Sequence, residues 1–307
     1  MAATTNSNHP HILLATDRDP QAQEHLDYAI KLGNRLGARV TLYHAIPPRS
    51  LVLHAPLADN LAAADQSLEE VQRSLKDTVS TLAADRPVHV EIEEAADPKA
   101  AILAAADRLA ADLIVLPTHG RTGISRAVIG STAEQVIRRA TKPVLLLTDH
   151  MLQHGELYLE ADGPMLIATD VSPASVAAHT PAVALARRLG QPVRLLSIVD
   201  DPVLPPFGGG APAAPPPVDH KPAIDARTKR LREMVLALDS HAPIEVEVQV
   251  SVNAVDLIVR RAEEMHAPLL VMTTHGRRGI ARMLQGSVAE QVVRRSTTPV
   301  LIMPMPK

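Results

Sequence analysis

The chain contains no cysteine and no tryptophan. Without cysteine there are no disulfides, no thiolate zinc sites and no cysteine nucleophile, as suits a reducing compartment. Aromatic residues are nearly missing, with one Phe and three Tyr. There are few rings on which to stack the bases of a single strand. The core has to be built from Val, Ile, Leu, Met and Ala. An excess of positive charge is also lacking, since 31 Lys and Arg stand against 34 Asp and Glu for a net charge of −3. That removes the basic footprint expected of a nucleic-acid binder. No apolar run is long enough to span a bilayer. The opening MAATTNSNHP has neither the basic start nor the apolar core of a secretory signal. These absences point to a cytoplasmic protein with no nucleic-acid or membrane partner.

What the chain does contain is a repeat. Residues 118–132 read THGRTGISRAVIGST and residues 274–288 read THGRRGIARMLQGSV, identical at nine of fifteen positions with an offset of 156. The next eleven residues, AEQVIRRATKP and AEQVVRRSTTP, agree at eight positions. Each copy lies between apolar runs, LIVLP and PVLLL in the first, LLVMT and PVLIM in the second. Self-similarity at a fixed spacing marks duplicated modules, and 307 residues suffice for two domains. The boundary falls near 149–163, which predicts domains at 9–149 and 163–307.

Within each copy, apolar runs alternate with helical periodicity. The first copy reads as strand HILLA, a helix over roughly 20–36, strand ARVTLYHAI, a Pro-rich connection at 47–62, a helix over about 63–84, strand VHVEIEEA, helix PKAAILAAADRLA, strand LIVLP, the glycine loop, a helix and strand PVLLL. The second repeats that order: MLIATD, a helix through Ala177 to Leu189, VRLLSIV, a Pro, Gly and Ala-rich connection at 203–222, a helix near 225–238, IEVEVQV, VDLIVRRAEEM, LLVMT, the loop, a helix and PVLIM. Strands alternating with helices of this length predict a parallel sheet covered on both faces.

Two features carry chemistry. The first is the loop, with Gly120, Gly130 and Ser131 in one copy and Gly276, Gly286 and Ser287 in the other. Glycine lets a ligand approach the backbone closely. Amides at a helix start favour an anion, and Arg121, Arg126, Arg277 and Arg282 lie near enough in sequence to offset phosphate charge. The same residues fit a plainer role, because Ser131 to Glu134 and Ser287 to Glu290 both match a capping box. The second feature is an Asp after the first strand of each copy, Asp17 and Asp170. Ligands in open α/β sheets sit beyond the carboxyl ends of strands. Each Asp also suits the cap of the following helix. His119 and His275 read as hydrogen-bonding or packing residues, and no metal cluster or nucleophile–base pair is apparent.

Together, ATD at 15–17 and 168–170, ADPKAAILAAADRLAADLIVL, and THG through PVL in both copies resemble the universal stress protein family in its tandem two-domain form. The resemblance covers nearly the whole chain. It implies an α/β fold of two tandem open five-stranded parallel sheets, order 3-2-1-4-5, with helices on both faces, paired through their last strands as an intramolecular pseudo-dimer. It also implies ATP, ADP or AMP, with or without Mg2+, held at a motif Gly-two residues-Gly-nine residues-Gly-Ser/Thr. Gly120, Gly130 and Ser131, and Gly276, Gly286 and Ser287, match its last three elements, followed by Thr132 and Val288. The family's adenine contacts carry over onto Ala15, Asp17 and Ala45, and onto Ala168, Asp170 and Ile198. The motif's first glycine falls at Pro117 and Thr273. Pro117 has no amide to donate, whereas Thr273 keeps its amide but adds a branched side chain. The small residue two positions after the Asp occurs only as Ser172, so the second copy is the better match. The expected function is a stress-response protein with adenine nucleotide as regulatory ligand, an unidentified protein partner and at most slow ATP hydrolysis. A homodimer of the tandem chain is a further assembly the resemblance allows. Two rival readings stay open: a nucleotide-free interaction protein of the same family, and an ATP-using enzyme.

Overall fold

The computed structural model describes residues 9–16, 22–46, 48, 68–83, 87–118, 129–147, 161–201, 218–238, 243–273 and 288–305. They group into two units. One runs to Glu160 and takes in Pro299–Pro304; the other is Ala161–Thr298 with the last three residues.

The first unit begins with β1 (His11–Ala15), every residue of which is buried. Helix α1 (Ala22–Leu36) follows and buries Leu26, Tyr28, Ala29, Ile30 and Leu32. Gly33 brings this helix tight onto the next strand, where an added Cβ would lie 2.7 Å from Val40 Cγ2. Gly37 ends the helix in the left-handed region at φ 62°. The unit continues with β2 (Arg39–Ile46), α2 (Leu68–Leu82), β3 (Val88–Glu94), α3 (Pro98–Arg108), β4 (Leu113–Pro117), α4 (Ser131–Arg139) and β5 (Val144–Leu147). Its strands run in the order β3-β2-β1-β4-β5. β1 pairs in parallel with β2 on one side and β4 on the other. Because the order reverses at β1, right-handed crossovers put α1 and α2 on one face and α3 and α4 on the other. The predicted order 3-2-1-4-5 is thereby present.

The second unit carries β6 (Met165–Ala168), α5 (Pro173–Leu189), β7 (Val193–Asp200), α6 (Lys221–Ala237), β8 (Ile244–Ser251), α7 (Ala254–Glu264), β9 (Leu270–Thr273) and α8 (Val288–Arg295). Its strand order is β8-β7-β6-β9, again parallel. The final strand, β10 (Val300–Met303), groups by its contacts with the first unit. There it lies antiparallel to β5, with Val300 opposite Leu146 and Ile302 opposite Val144, so PVLLL and PVLIM pair as expected.

The duplication reaches down to single caps. Asp97 accepts from the amides of Lys99 and Ala100 at the start of α3, and Asn253 accepts from Val255 and Asp256 at the start of α7. Both helices end at a left-handed non-glycine residue, Ala110 and His266. Two helices start earlier than their periodicity predicted, α5 at Pro173 and α6 at Lys221, so Lys221 and Pro222 leave the 203–222 connection. In each case a proline sits in the first turn, where a missing N–H costs nothing. The core is aliphatic, as the composition required. Its buried polar exception in β1 is His11, satisfied by Leu109 O at 2.9 Å and Thr41 Oγ1 at 2.8 Å.

Gly163 marks the entry to the second unit. A Cβ there would lie 1.9 Å from Met265 O and 2.5 Å from His266 O, both backbone atoms. Gly163→Ala is expected to cost about 1–3 kcal/mol through overpacking, read as a lower urea midpoint. An unchanged midpoint would contradict this close packing.

Candidate functional site

The sequence-marked residues that are described all lie at the carboxyl ends of the parallel strands or at the helix starts just beyond them. In the first unit Ala15 ends β1 and is buried, while Ala45 is half-buried near the end of β2. Thr16 N donates to Tyr43 O at 3.0 Å, and His44 Nδ1 lies 2.6 Å from Thr16 O. Beyond β4, Thr118 N donates to Leu147 O. The Gly130 amide donates to Thr118 O at 2.7 Å and so ties together the two ends of the glycine loop. Asp17, Gly120, Gly276, Gly286 and Ser287 lie outside the described residues, as do both loop histidines and all four loop arginines.

The capping-box reading does not describe α4. Its N-cap is Gly130, and no side chain caps it. Ser131 is the first helical residue, one position too late to cap, and is exposed. Glu134 lies 4.0 Å from Arg138 in an i,i+4 pair. Helical geometry leaves the amides of Ser131, Thr132 and Ala133 without an intrahelical acceptor. The dipole adds positive potential at this end, so this turn is suited to an anion. Gly130 supplies close approach rather than a donor, because its amide is already used. Val288, the second-copy counterpart of Thr132, opens α8 with 42% of its surface exposed. Pro117 and Thr273 are the last residues of β4 and β9.

In the second unit Ala168 ends β6, and Ile198 lies half-buried in β7. Asp170 is half-buried between β6 and α5, yet it does not cap that helix. The N-cap is Ser172, with no side-chain capping bond. Asp170 Oδ1 instead accepts from Ser172 N at 3.0 Å and from Ser175 Oγ at 2.5 Å. Ser172 Oγ is 2.8 Å from Ser175 Oγ. Thr169 Oγ1 accepts from Val171 N at 3.2 Å. Arg227, from α6, donates through Nη1 to Ser197 Oγ at 2.9 Å and to Asp170 O at 3.3 Å. A groove of about 490 Å3 opens beside this turn and is lined in part by Val171 and Ser172.

Sequence reasoning missed Ser175, His179, Ser197 and Arg227. Ser175 lies five residues past Asp170, a spacing that corresponds to no capping pattern. Arg227 lies fifty-seven residues away along the chain. No sequence signal links it to the turn. His179 is fully buried on α5, and neither ring nitrogen has a hydrogen-bond partner. Burial pushes its pKa down to about 4, against a smaller upward pull from the Asp170 charge. His25, on α1, is likewise pushed down to about 4 by burial.

Doubly wound parallel sheets in two successive copies define the class, a tandem open α/β fold. The universal stress protein family model matches residues 9–148 and again 163–304. The chain belongs to the universal stress protein family. A universal stress protein of Mycolicibacterium smegmatis is 25% identical over 299 residues, covering 95% of this chain and 96% of that one. One from Mycobacterium tuberculosis is 27% identical over 306 residues, with 95% of each chain covered. The crystal structure of a universal stress protein from Archaeoglobus fulgidus matches with a TM-score of 0.67 at 19% identity, covering 96% of this chain and 98% of that one. A universal stress protein solved in complex with cAMP is 27% identical, with a TM-score of 0.35, and covers 47% of this chain and 98% of that one. Among the described residues no helix is long and apolar enough to cross a membrane.

The buried histidines set a pH dependence. An unfolded His takes a proton near its ordinary value of 6.5, and folded His179 only near 4. Between those values the unfolded state holds more protons, so stability falls as pH falls. The share due to His179 reaches about 3 kcal/mol by about pH 4. Urea unfolding from about pH 7 down to about pH 4 is expected to show a steep acid loss that His179→Leu reduces. An identical acid loss in that variant would contradict a neutral buried His179.

Proposed function

We propose that this chain binds an adenine nucleotide as a regulatory ligand at the strand ends of each repeat, with the second repeat as the stronger site. The observation that carries this reading is the start of α4. Ser131 stands exposed at the first helical position and does not cap the helix. This helix start lies beyond β4, the neighbour of β1, on the edge where Ala15 ends β1 and Ala45 nears the end of β2. Phosphate suits that turn, and a flat base suits the small residues beside it. In the second repeat, Asp170 sits in a turn already held by its own hydrogen bonds, which lowers the ordering cost of binding. Thr273 keeps a backbone amide where the first repeat has Pro117.

Binding acts by shifting a conformational or partner equilibrium through differential affinity. The partner is a protein, and slow ATP hydrolysis is the most catalysis this reading includes. A nucleotide-free interaction role for the whole chain remains the competing reading, supported by Pro117 and Thr273 in place of the motif's first glycine, and most strongly at the first repeat. Pro117 has no amide there, and the Gly130 amide is spent on Thr118 O.

Calorimetric titration with ATP, ADP, AMP and cAMP tests the proposal. Binding is expected, with Gly286→Ala removing the tighter component and Gly130→Ala the weaker one. A ligand at about 100-fold over its dissociation constant should add about 2.7 kcal/mol to stability. No binding and no thermal shift with any of the four ligands would leave the nucleotide-free role as the better reading.

A further inference from the structure

The turn after β6 carries a conformational oddity. Val171 has φ 55°, in the left-handed region that a β-branched residue enters only under strain. Strain of this kind persists when surrounding contacts over-determine it, and it gathers at ligand sites. Three contacts come from the turn and its own helix: Thr169 Oγ1 to Val171 N, and Asp170 Oδ1 to Ser172 N and to Ser175 Oγ. The fourth is long-range. Arg227 Nη1 bridges the Asp170 carbonyl and the hydroxyl of Ser197, which is fully buried in β7. A planar guanidinium is well suited to such a bridge, since its donors keep a fixed geometry.

The first repeat carries different residues at the aligned strand and helix positions. Strand registers pair Ala15 with Tyr43 and Ala168 with Leu196, which makes His44 the counterpart of Ser197. Val71 and Arg227 each lie four residues before a buried leucine, Leu75 and Leu231, and Val71 is itself buried. In the first repeat His44 Nδ1 lies 2.6 Å from Thr16 O, and Thr16 aligns with Thr169. The helix that supplies an arginine in the second repeat supplies an aliphatic side chain in the first.

We propose that Arg227 is a positioning residue of the second nucleotide site, clamping the Asp170 carbonyl to Ser197 and so holding the left-handed turn at Val171 in its ligand-ready shape. The proposal rests on the nucleotide reading above and accounts for a second site stronger than the first. Arg227 acts through the turn.

The test uses the full chain with Arg227→Met, Arg227→Lys and, as a control at an exposed position of the same helix, Arg232→Met. Residue-resolved amide exchange is measured without ligand, and ATP affinity by calorimetry. Arg227→Met is expected to speed exchange at Ser172 about tenfold and to weaken the tighter ATP site about tenfold, the size of one lost charge-assisted hydrogen bond. Arg227→Lys should recover part of both, and Arg232→Met should change neither. Adding Val171→Gly, which relieves the strain, should shrink the effect of Arg227→Met on affinity, a coupling that a merely structural arginine does not produce. If Arg227→Met does not fold, Arg227→Lys alone and with Val171→Gly carries the comparison. Unchanged exchange at Ser172 in a folded variant overturns the clamp. Faster exchange with unaltered affinity overturns its role in the site. Wild-type protein that binds no ATP overturns the nucleotide reading and the arginine's part in it, and is told apart because exchange at Ser172 still rises in Arg227→Met.

Discussion

The parallel pairing of each unit's first strand on both sides is the constraint from which the rest follows. β1 lies between β2 and β4, and β6 between β7 and β9. A strand so placed is buried on both faces and must be almost wholly aliphatic, as MLIA is and as HILLA is apart from His11. It also fixes where the chain reverses direction across the sheet. At that reversal the loops leaving neighbouring strands diverge and open a crevice at the carboxyl edge. Ala15 ends β1 at that edge and Ala168 ends β6 there, with Asp170 two residues on.

The two repeats share their scaffold and differ at this edge. Asp97 and Asn253 cap equivalent helices in the same manner, and Ala110 and His266 end them in the same conformation. The side chains at the aligned positions differ, with His44 where the second repeat has Ser197 and Val71 where it has Arg227. The first repeat uses His44 against Thr16 O, the second uses Arg227 against Asp170 O and Ser197. A duplicated module can thus keep its caps while its strand-end groups change, without altering the fold.

Much of the architecture was legible along the chain because its signals are local. The apolar runs gave the strands, Gly37 and Gly190 end helices in the left-handed region, and the offset of 156 revealed the duplication. The exceptions are the starts of α5 and α6, where a first-turn proline, Pro173 or Pro222, precedes the helical periodicity. The described candidate residues lie at or just beyond the carboxyl edge of the sheet. Their roles were less legible. The pattern Ser-x-x-Glu predicts a cap at Ser131, but the helix begins at that residue, and a shift of one position turns a capping hydroxyl into an exposed one. Asp170 holds a turn two residues before the cap instead of supplying it.

The sequence by itself determined the α/β alternation, the repeat and the aliphatic core, since each depends on neighbours within one element or on a copied segment. Only the tertiary structure decided which groups meet there. Arg227 reaches Asp170 because α6 packs beside β7, and His179 is stripped of partners because α5 turns it into the core. Contacts of this kind join residues far apart in the chain, and no local period or motif encodes them.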